Sequence, residues 1–202
     1  VAGADIEGVC TVTGPDDGEV RDHLAGRSET VIQSERLGTA HAVRQAEAFL
    51  RQNGPEDVLV LCGDAPFIRP QVIADSYARH REKGCALTVI TAKATDPTGY
   101  GRVLRGPDGC VRRIVEQKDA TAPEREVDEV NSGAYWFRTQ TLLDVLPAIR
   151  AENAQHEYYL TDAVALIAAS GQKADGFPVT DMAVVAGAND RLQLAALNEA
   201  AR

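Results

Sequence analysis

VLVLCGDAP (residues 58–66) is the stretch that decides the fold prediction. Its first five residues form a continuous apolar run, which is typical of a parallel strand buried on both faces. Gly63 and Asp64 follow at once, so a carboxylate is predicted at the carboxyl edge of a sheet, where open α/β folds bind ligands. Pro66 stiffens the chain as it leaves the strand. The stretch therefore predicts an α/β protein with a functional site at this strand end.

Strand-like and helix-like segments alternate on both sides of this stretch. Short apolar runs at 9–13, 30–33 and 85–91 predict further strands. Apolar residues recur at three- and four-residue spacing over 39–52, which predicts an amphipathic helix, and a second helix is predicted over 69–83. Alternation at this spacing predicts right-handed βαβ units in a doubly wound, mostly parallel sheet.

A β-rich segment interrupts this alternation in the middle of the chain. Residues 101–105 and 110–116 predict two strands joined by a tight turn, and residues 129–137 predict a third. We expect this β-rich insert to form a lid or a substrate-binding face. Helices over 158–169 and 189–201 are predicted to close the chain.

The composition limits the classes of partner. A length of 202 residues with 44% hydrophobic content fits one domain over 1–202. The net charge of −9 argues against nucleic-acid binding, which needs clustered Lys and Arg. No run approaches the roughly 18 apolar residues that span a bilayer. The four cysteines show no metal-like spacing with the four histidines, so reduced thiols in a cytoplasmic protein are expected.

Asp64 has two interpretations. After a buried strand and a glycine, its carboxylate is placed to hold a hard divalent cation against phosphate oxygens. The alternative is an aspartate that caps a helix or stabilises a turn.

QSERLGTAH (residues 33–41) is the second candidate segment. Gln33 ends a strand and offers a donor and an acceptor, which suits the imide edge of a pyrimidine. Gly38 and Thr39 open a helix whose first amides are free for an anion or a base edge. The alternative is a Thr39 that caps the helix after an ordinary loop. We interpret His41 as a surface or packing residue.

Three further positions lie in the β-rich insert. Gly101 is the second of two glycines that flank the aromatic residue Tyr100. Its backbone could contact a ligand such as a sugar. Glu116 ends a strand and faces either solvent or a ligand hydroxyl. Asn131 lies within a strand, where asparagine is disfavoured, and positions that break local propensity are often functional.

Together these segments resemble the uridylyltransferase domain of the bacterial bifunctional N-acetylglucosamine-1-phosphate uridylyltransferase/glucosamine-1-phosphate acetyltransferases. The resemblance covers nearly all of the chain from Gln33 onward, in the family's order, and the combination of GYGR, EQKDAT and EYYLTD distinguishes it from the thymidylyltransferases. The matching segments are QSERLGTAHAV, VLVLCGDAPFI, DPTGYGRVLR, RIVEQKDAT, EVNSGAYWF, EYYLTDAVAL and GANDRLQLA.

The resemblance implies a nucleotide-diphospho-sugar transferase (Rossmann-like) fold and a role for each matching residue. The residues implied to contact the base are Gln33, Gly38 and Thr39, and those lining the nucleotide are Cys62, Gly63 and Asp64. The N-acetylglucosamine moiety would contact Gly101, Glu116 and Asn131, supported by Tyr159 and Thr161. Asp64 and Asn189 are implied to coordinate Mg²⁺; taken alone, Asn189 would suit the N-cap of the last helix, but the resemblance favours the metal role.

The implied reaction is attack by the sugar 1-phosphate on the α-phosphorus of UTP, which releases pyrophosphate and forms UDP-N-acetylglucosamine for cell-wall precursor synthesis. Such chemistry needs no covalent nucleophile, because positioning and neutralisation of phosphate charge supply most of the catalysis. The resemblance further implies a cytoplasmic enzyme whose full-length form is a homotrimer assembled through its C-terminal domain.

The sequence departs from the family at its beginning. The family's first strand, its glycine-rich loop of the type LAAGxGTRM and a following lysine have no counterpart, and neither does the C-terminal hexapeptide-repeat domain. We therefore expect a domain that lacks its first strand-loop-helix, and a 202-residue chain that neither turns over UTP nor folds stably by itself.

Two alternatives remain open on the residues alone. One is a transferase for another sugar 1-phosphate or another base. The other is a non-catalytic nucleotide-sugar-binding module without a phosphate loop, although the retention of Asp64, Glu116, Asn131 and Asn189 argues against it.

Overall fold

The structure is a computed structural model that describes residue 6 and residues 8–63 and 67–182. Strands and helices alternate along much of this part of the chain. The strands are β1 Cys10–Thr13, β2 Glu29–Ile32, β3 Asp57–Leu61, β4 Leu87–Lys93, β5 Arg102–Arg105, β6 Val111–Val115, β7 Glu129–Arg138 and β8 Ala174–Val179. The helices are α1 Gly18–Leu24, α2 Thr39–Gln45, α3 Glu47–Asn53, α4 Pro70–Glu82, α5 Ala122–Arg125, α6 Thr139–Val145, a 3-10 turn at Leu146–Ala148, and α7 Asp162–Ala169.

The long strand β7 organises a six-stranded sheet. Strand β4 pairs with it along one edge, from Phe137 down to Glu129. Strands β3 and β5 share the other edge end to end, because β3 pairs with Ala134–Arg138 while Arg102 of β5 lies opposite Val130. Strand β8 extends the sheet beside β4, and β6 extends it beside β5. A separate two-stranded parallel sheet is formed by β1 and β2.

Helices cover both faces of the larger sheet, as expected for a doubly wound α/β fold. On one face, Phe137 and Leu87 pack in the main core with residues of α6 and α7. On the other face, the Trp136 indole donates to the Ser76 hydroxyl on α4 at 3.0 Å. Successive residues of β7, Trp136 and Phe137, thus pack against helices on opposite faces of the sheet, which is the pattern expected of a central strand. The predicted α/β class is confirmed.

Strand direction is more mixed than the strand-helix alternation alone indicates. Strands β3, β4, β5 and β8 run one way, whereas β6 and β7 run the other. Both reversed strands belong to the β-rich insert. Instead of lying apart as a lid, the insert returns through the middle of the sheet, where β7 finds partners on both edges.

Several boundaries differ from those predicted. The helix expected over 39–52 is divided at Ala46 into α2 and α3. The helix expected from residue 158 begins at Asp162, because the preceding backbone pairs elsewhere: the Tyr158 amide donates to the Leu37 carbonyl. The helix predicted over 189–201 lies outside the described residues.

Strand β3 differs from its prediction in burial. All five of its residues are half-buried, whereas six of the seven residues of β4 are buried. Within the described part of the chain β3 has a strand partner on one edge only, which leaves its apolar run less covered than that of a fully enclosed strand. No helix in these same residues is long and apolar enough to cross a membrane.

Candidate functional site

Pairing of β5, β6 and β7 brings three predicted site residues together. Arg102 lies opposite both Val115 and Val130, so the neighbouring residues Gly101, Glu116 and Asn131 occupy one end of three adjacent strands. The main-chain N–H of Asn131 donates to the main-chain carbonyl oxygen of Gly101 at 2.9 Å. A Cβ atom added at Gly101 would lie 3.2 and 3.3 Å from the two carboxyl oxygens of Glu116. The nearest atom to that Cβ would be Cγ2 of Ile114 at 3.1 Å, so a larger residue at position 101 would crowd both the Ile114 and the Glu116 side chains.

Glu116 is partly buried beneath this strand end and accepts a hydrogen bond from the Thr161 hydroxyl at 3.1 Å. Burial raises the pKa of the Glu116 carboxyl group, the Thr161 hydrogen bond lowers it, and the charges of Asp119 and Asp162 raise it further. The net direction is upward, since desolvation disfavours the charged form. Glu116 thus points inward rather than to open solvent, and Thr161 joins it to the segment before α7.

Tyr159 lies on that same segment, and its hydroxyl group is buried. Among the described residues this oxygen has no hydrogen-bond partner. Burial raises the pKa of Tyr159 to about 12, helped by the surrounding carboxylates, Asp119 before Glu116. A buried hydroxyl without a partner is costly, which keeps Tyr159 a candidate for contact with a ligand.

Asn131 lies next to a bulge in β7. The register against β4 passes from Val89 opposite Tyr135 to Thr91 opposite Asn131, so β7 carries two extra residues there. The Asn131 side chain stabilises the bulge: its oxygen accepts from the Gly133 amide at 3.0 Å, and its nitrogen donates to the Tyr135 hydroxyl at 2.7 Å. This explains an asparagine within a strand, because its amide replaces bonds that the bulge removes from the ladder.

Cys62 meets the same bulge from the end of β3. A Cβ atom at Gly133 would lie 2.9 Å from the Cys62 sulfur, and the φ of Gly133 is +76°, so only glycine fits. The bulge therefore lets the chain after β3 approach Gly133 of β7. Gly63 follows and is exposed. Asp64 lies outside the described residues.

The predicted base contacts lie at the beginning of α2. The Gln33 side-chain nitrogen lies 3.1 Å from the Gly38 carbonyl and 3.0 Å from Nδ1 of His41, and its side-chain oxygen takes part in neither contact. The Thr39 hydroxyl accepts from the Leu160 amide at 2.9 Å. Thr39 is the first residue of α2 rather than its N-cap, which is Gly38. The capping alternative for Thr39 is therefore wrong, and His41 packs against Gln33 as interpreted.

Gly38 makes the closest approach in this region. A Cβ atom there would lie 2.6 Å from the Tyr158 carbonyl oxygen and 2.8 Å from its nitrogen, and the φ of Gly38 is +108°. The Ala40 amide donates to the same carbonyl at 2.8 Å. The segment with the predicted base contacts is thus in direct contact with the segment that carries Tyr159 and Thr161.

Close contacts link the described candidate residues into one rim. It runs from Cys62 through the β7 bulge to Asn131, Gly101 and Glu116, then through Thr161 and Leu160 to Thr39 and Gln33. Its two predicted metal ligands, Asp64 and Asn189, lie outside the described residues. In the residues that are described, no cluster of three or more His, Cys, Asp or Glu side chains is arranged to hold a metal.

The cavity between α3 and the beginning of α6 belongs to a different part of the molecule. It has a volume of about 550 Å³ and is lined by Glu56 and Arg138, which lie at the end of the β3–β7 pair opposite Cys62. None of the candidate residues lines it.

Sequence analysis missed two residues that build the site. Tyr135 bonds Asn131 from a fully buried position within β7, and its signal, an aromatic residue four positions after an asparagine, is unspecific. Arg102 is 1% exposed and follows Gly101 directly. Its signal was an arginine at an inward position of a strand, which is unusual because buried arginines need partners.

Replacing Glu116 by glutamine is predicted to stabilise the fold in a pH-dependent way. Because the folded-state pKa of Glu116 is raised, its contribution to stability is present below the unfolded pKa and is lost as pH rises through the folded pKa. Glu116→Gln, which stays neutral, should therefore gain most over the wild type at pH 8 and least at pH 4. Denaturant unfolding at both pH values measures this in the active protein that contains the chain. Glu126→Gln, at an exposed position, is the control. A gain that is the same at both pH values would contradict the prediction.

Replacing Gly38 by alanine is predicted to lower the free energy of unfolding more than the same change at a glycine that has a positive φ but no close neighbour. The new Cβ would overlap the Tyr158 backbone, so we expect a loss of about 1–3 kcal/mol in the free energy of unfolding beyond the cost of positive φ. Gly26→Ala is the matched control, since Gly26 also has a positive φ, +73°, but has nothing within 4 Å of an added Cβ. Equal losses in the two variants would show that the contact with Tyr158 is not constraining.

Comparisons with known proteins identify the family of this chain. The sequence profile of the nucleotidyl transferase family matches residues 2–183. The chain is 45% identical over 185 residues to the bifunctional protein GlmU of Geobacter metallireducens, covering 91% of this chain and 39% of that protein. It is 43% identical over 195 residues to the bifunctional protein GlmU of Pelotomaculum thermopropionicum, covering 96% and 42%. The chain spans about two fifths of the length of these relatives. Since the family profile covers nearly all of it, this chain belongs to the nucleotidyl transferase family.

Proposed function

We propose that this chain provides the base-binding and sugar-binding parts of an N-acetylglucosamine-1-phosphate uridylyltransferase. A phosphate oxygen of N-acetylglucosamine 1-phosphate attacks the α-phosphorus of UTP, the bond to the β-phosphate bridging oxygen breaks, and pyrophosphate leaves. The product is UDP-N-acetylglucosamine. The observation that carries the proposal is the continuous rim that joins Gln33 and Thr39 to Glu116, Gly101 and Asn131.

The two halves of the rim suit the two substrates. At the base side, the side-chain oxygen of Gln33 remains for the imide N–H of uracil, while its nitrogen is held by Gly38 and His41. At the sugar side, the Glu116 carboxyl group and the Tyr159 hydroxyl offer an acceptor and a donor to sugar hydroxyl or acetamido groups. Direct contacts between the halves suit a reaction in which two substrates must be held at a fixed distance.

Magnesium is the cofactor we propose, with Asp64 and Asn189 as its ligands. Carboxylate and amide oxygens are ligands that suit this hard cation, and Asp64 follows Gly63 directly in the sequence. When bound, Mg²⁺ would neutralise phosphate charge, while the residues of the rim orient the base and the sugar.

The setting of the reaction is also a proposal. Four free cysteines among the described residues suit a reducing compartment, so we place the enzyme in the cytoplasm, in the synthesis of cell-wall precursors. We further propose a homotrimer assembled through a C-terminal domain, as the family resemblance implies.

The choice of sugar distinguishes the proposal from its alternatives. In an active protein that contains this chain, N-acetylglucosamine 1-phosphate should give a kcat/KM at least about tenfold above that of glucose 1-phosphate, because buried polar groups left unpaired penalise the analogue. Pyrophosphate release measures both, and dTTP in place of UTP tests the base. Equal use of the two sugar phosphates would favour a transferase for another sugar. Binding of UDP-N-acetylglucosamine without turnover would favour the non-catalytic module.

Removal of the Asp64 carboxylate tests the magnesium assignment. Asp64→Ala should lower Mg²⁺-dependent kcat by roughly 100-fold or more, because a charge held against the phosphates is lost. Asp128→Ala is the matched control, since that carboxylate is exposed and forms only a surface ion pair with Lys93. Near-normal activity of Asp64→Ala would overturn the assignment.

A further inference from the structure

Arg102 is a buried cation with uncharged hydrogen-bond partners. Its side chain is 1% exposed, at the first position of β5. A buried charge is costly unless it is paired and fully hydrogen-bonded, and the usual partner is a carboxylate. Here the three acceptors are the main-chain carbonyls of Tyr100 and Arg125 and the side-chain oxygen of Gln117. Burial, followed by the charge of Arg125, lowers the pKa of Arg102 against a smaller opposing effect of Asp96.

Each acceptor lies on a segment that carries or leads to a sugar-side residue. Tyr100 immediately precedes Gly101, and Gln117 immediately follows Glu116. Nη2 of Arg102 donates to the Gln117 oxygen at 2.7 Å, and Nη1 donates to the Tyr100 carbonyl. Nε lies 3.4 Å from the carbonyl of Arg125, at the end of α5 before the chain enters β7.

The backbone of Arg102 lies between the same strands. It lies opposite Val115 on one side and Val130 on the other, each one residue before a candidate sugar contact. Gln117 also bonds the loop before Gly101, since its oxygen accepts from the Gly99 amide at 3.4 Å. One guanidinium group therefore ties together the loop 99–101, the turn after β6 and the approach to β7.

We propose that Arg102 is a positioning residue for the sugar side of the site, holding Gly101, Glu116 and Asn131 at the separations that the sugar phosphate requires. The inference rests on the proposed function, because the ligand it names is that of the transferase. Arg102 itself makes no direct contact with the sugar in this role. Its contribution is geometric, since a planar fork donates in several fixed directions at once.

Lysine cannot substitute for arginine in this arrangement. A lysine ammonium is a compact charge on a flexible stem, and it lacks the rigid fork that spans three acceptors in different directions. Arg102→Lys keeps the charge and much of the packing volume but releases at least one segment. Misplacement of binding groups by about 1 Å is enough to cost about 10²-fold in an enzyme, so a moderate effect on sugar binding is expected.

The test compares the change in KM for the sugar phosphate with the change in KM for UTP, in the active protein that contains this chain. Arg102→Lys should raise KM for N-acetylglucosamine 1-phosphate about tenfold while KM for UTP stays within about twofold. Arg105→Lys is the matched control. Arg105 lies on the same strand but forms ion pairs with Glu129 and Asp175, so a weaker pairing by lysine there should change stability without splitting the two constants.

A second variant protects the test against misfolding. Gln117→Leu removes one acceptor at a half-buried position and should raise KM for the sugar phosphate about threefold, again without a matching change for UTP. If Arg102→Lys does not fold, Gln117→Leu decides. Unchanged sugar-phosphate KM in the folded variants, or equal changes in both constants, would overturn the role of Arg102. A wild-type protein that does not use the sugar phosphate would instead overturn the proposed function, and this role with it.

Discussion

The central antiparallel strand β7 is the constraint on which the site depends. Because it pairs with β4 on one edge and with β3 and β5 on the other, it is the element that connects the end of β3 to the β5–β6 hairpin. Its two-residue bulge interrupts the ladder with β4 between Tyr135 and Asn131. The side-chain oxygen of Asn131 accepts a hydrogen bond from the Gly133 amide within that bulge, and the absence of a side chain at Gly133 leaves room for Cys62. A bulge in a central strand is tolerated because the asparagine replaces ladder bonds that would otherwise be lost.

The sugar side concentrates groups that are costly to bury. Glu116 lies with Asp119 and Asp162 in its electrostatic surroundings, the Tyr159 hydroxyl lacks a partner among the described residues, and Arg102 is bonded to uncharged acceptors. None of these serves stability as well as an apolar residue would. Such groups are expected where polar atoms must be presented to a ligand, and the occurrence of three of them beside one strand end supports that end as the candidate site.

Two glycines show how close backbone approach builds the site from separate parts of the chain. Gly38 touches the Tyr158 backbone from a left-handed conformation, and Gly101 leaves room for the Glu116 carboxyl group. The first contact joins the proposed base side to the proposed sugar side, and the second lies within the proposed sugar side, next to the partly buried Glu116. An added methyl group at Gly38 would therefore act on the contact between the two halves, whereas one at Gly101 would act within the half that contains Glu116.

Local pattern alone was enough to predict the α/β class and most strand positions. The apolar run of β4 and the turn between β5 and β6 appear in the structure close to where the sequence placed them. The candidate residues Gln33, Thr39, Gly101, Glu116 and Asn131 were also predicted from strand ends, glycines and an out-of-place asparagine. Only the tertiary structure decided what these residues touch: the hydroxyl of Thr39 is used by Leu160, and Asn131 supports a bulge. Likewise, periodicity could not reveal that β7 runs against its neighbours, that β3 is half-buried or that Arg102 ties three segments together. The physical reason is that hydrophobic period and turn chemistry act between residues near in sequence, whereas strand order, burial and the partners of a buried charge depend on segments that meet only after the chain has folded.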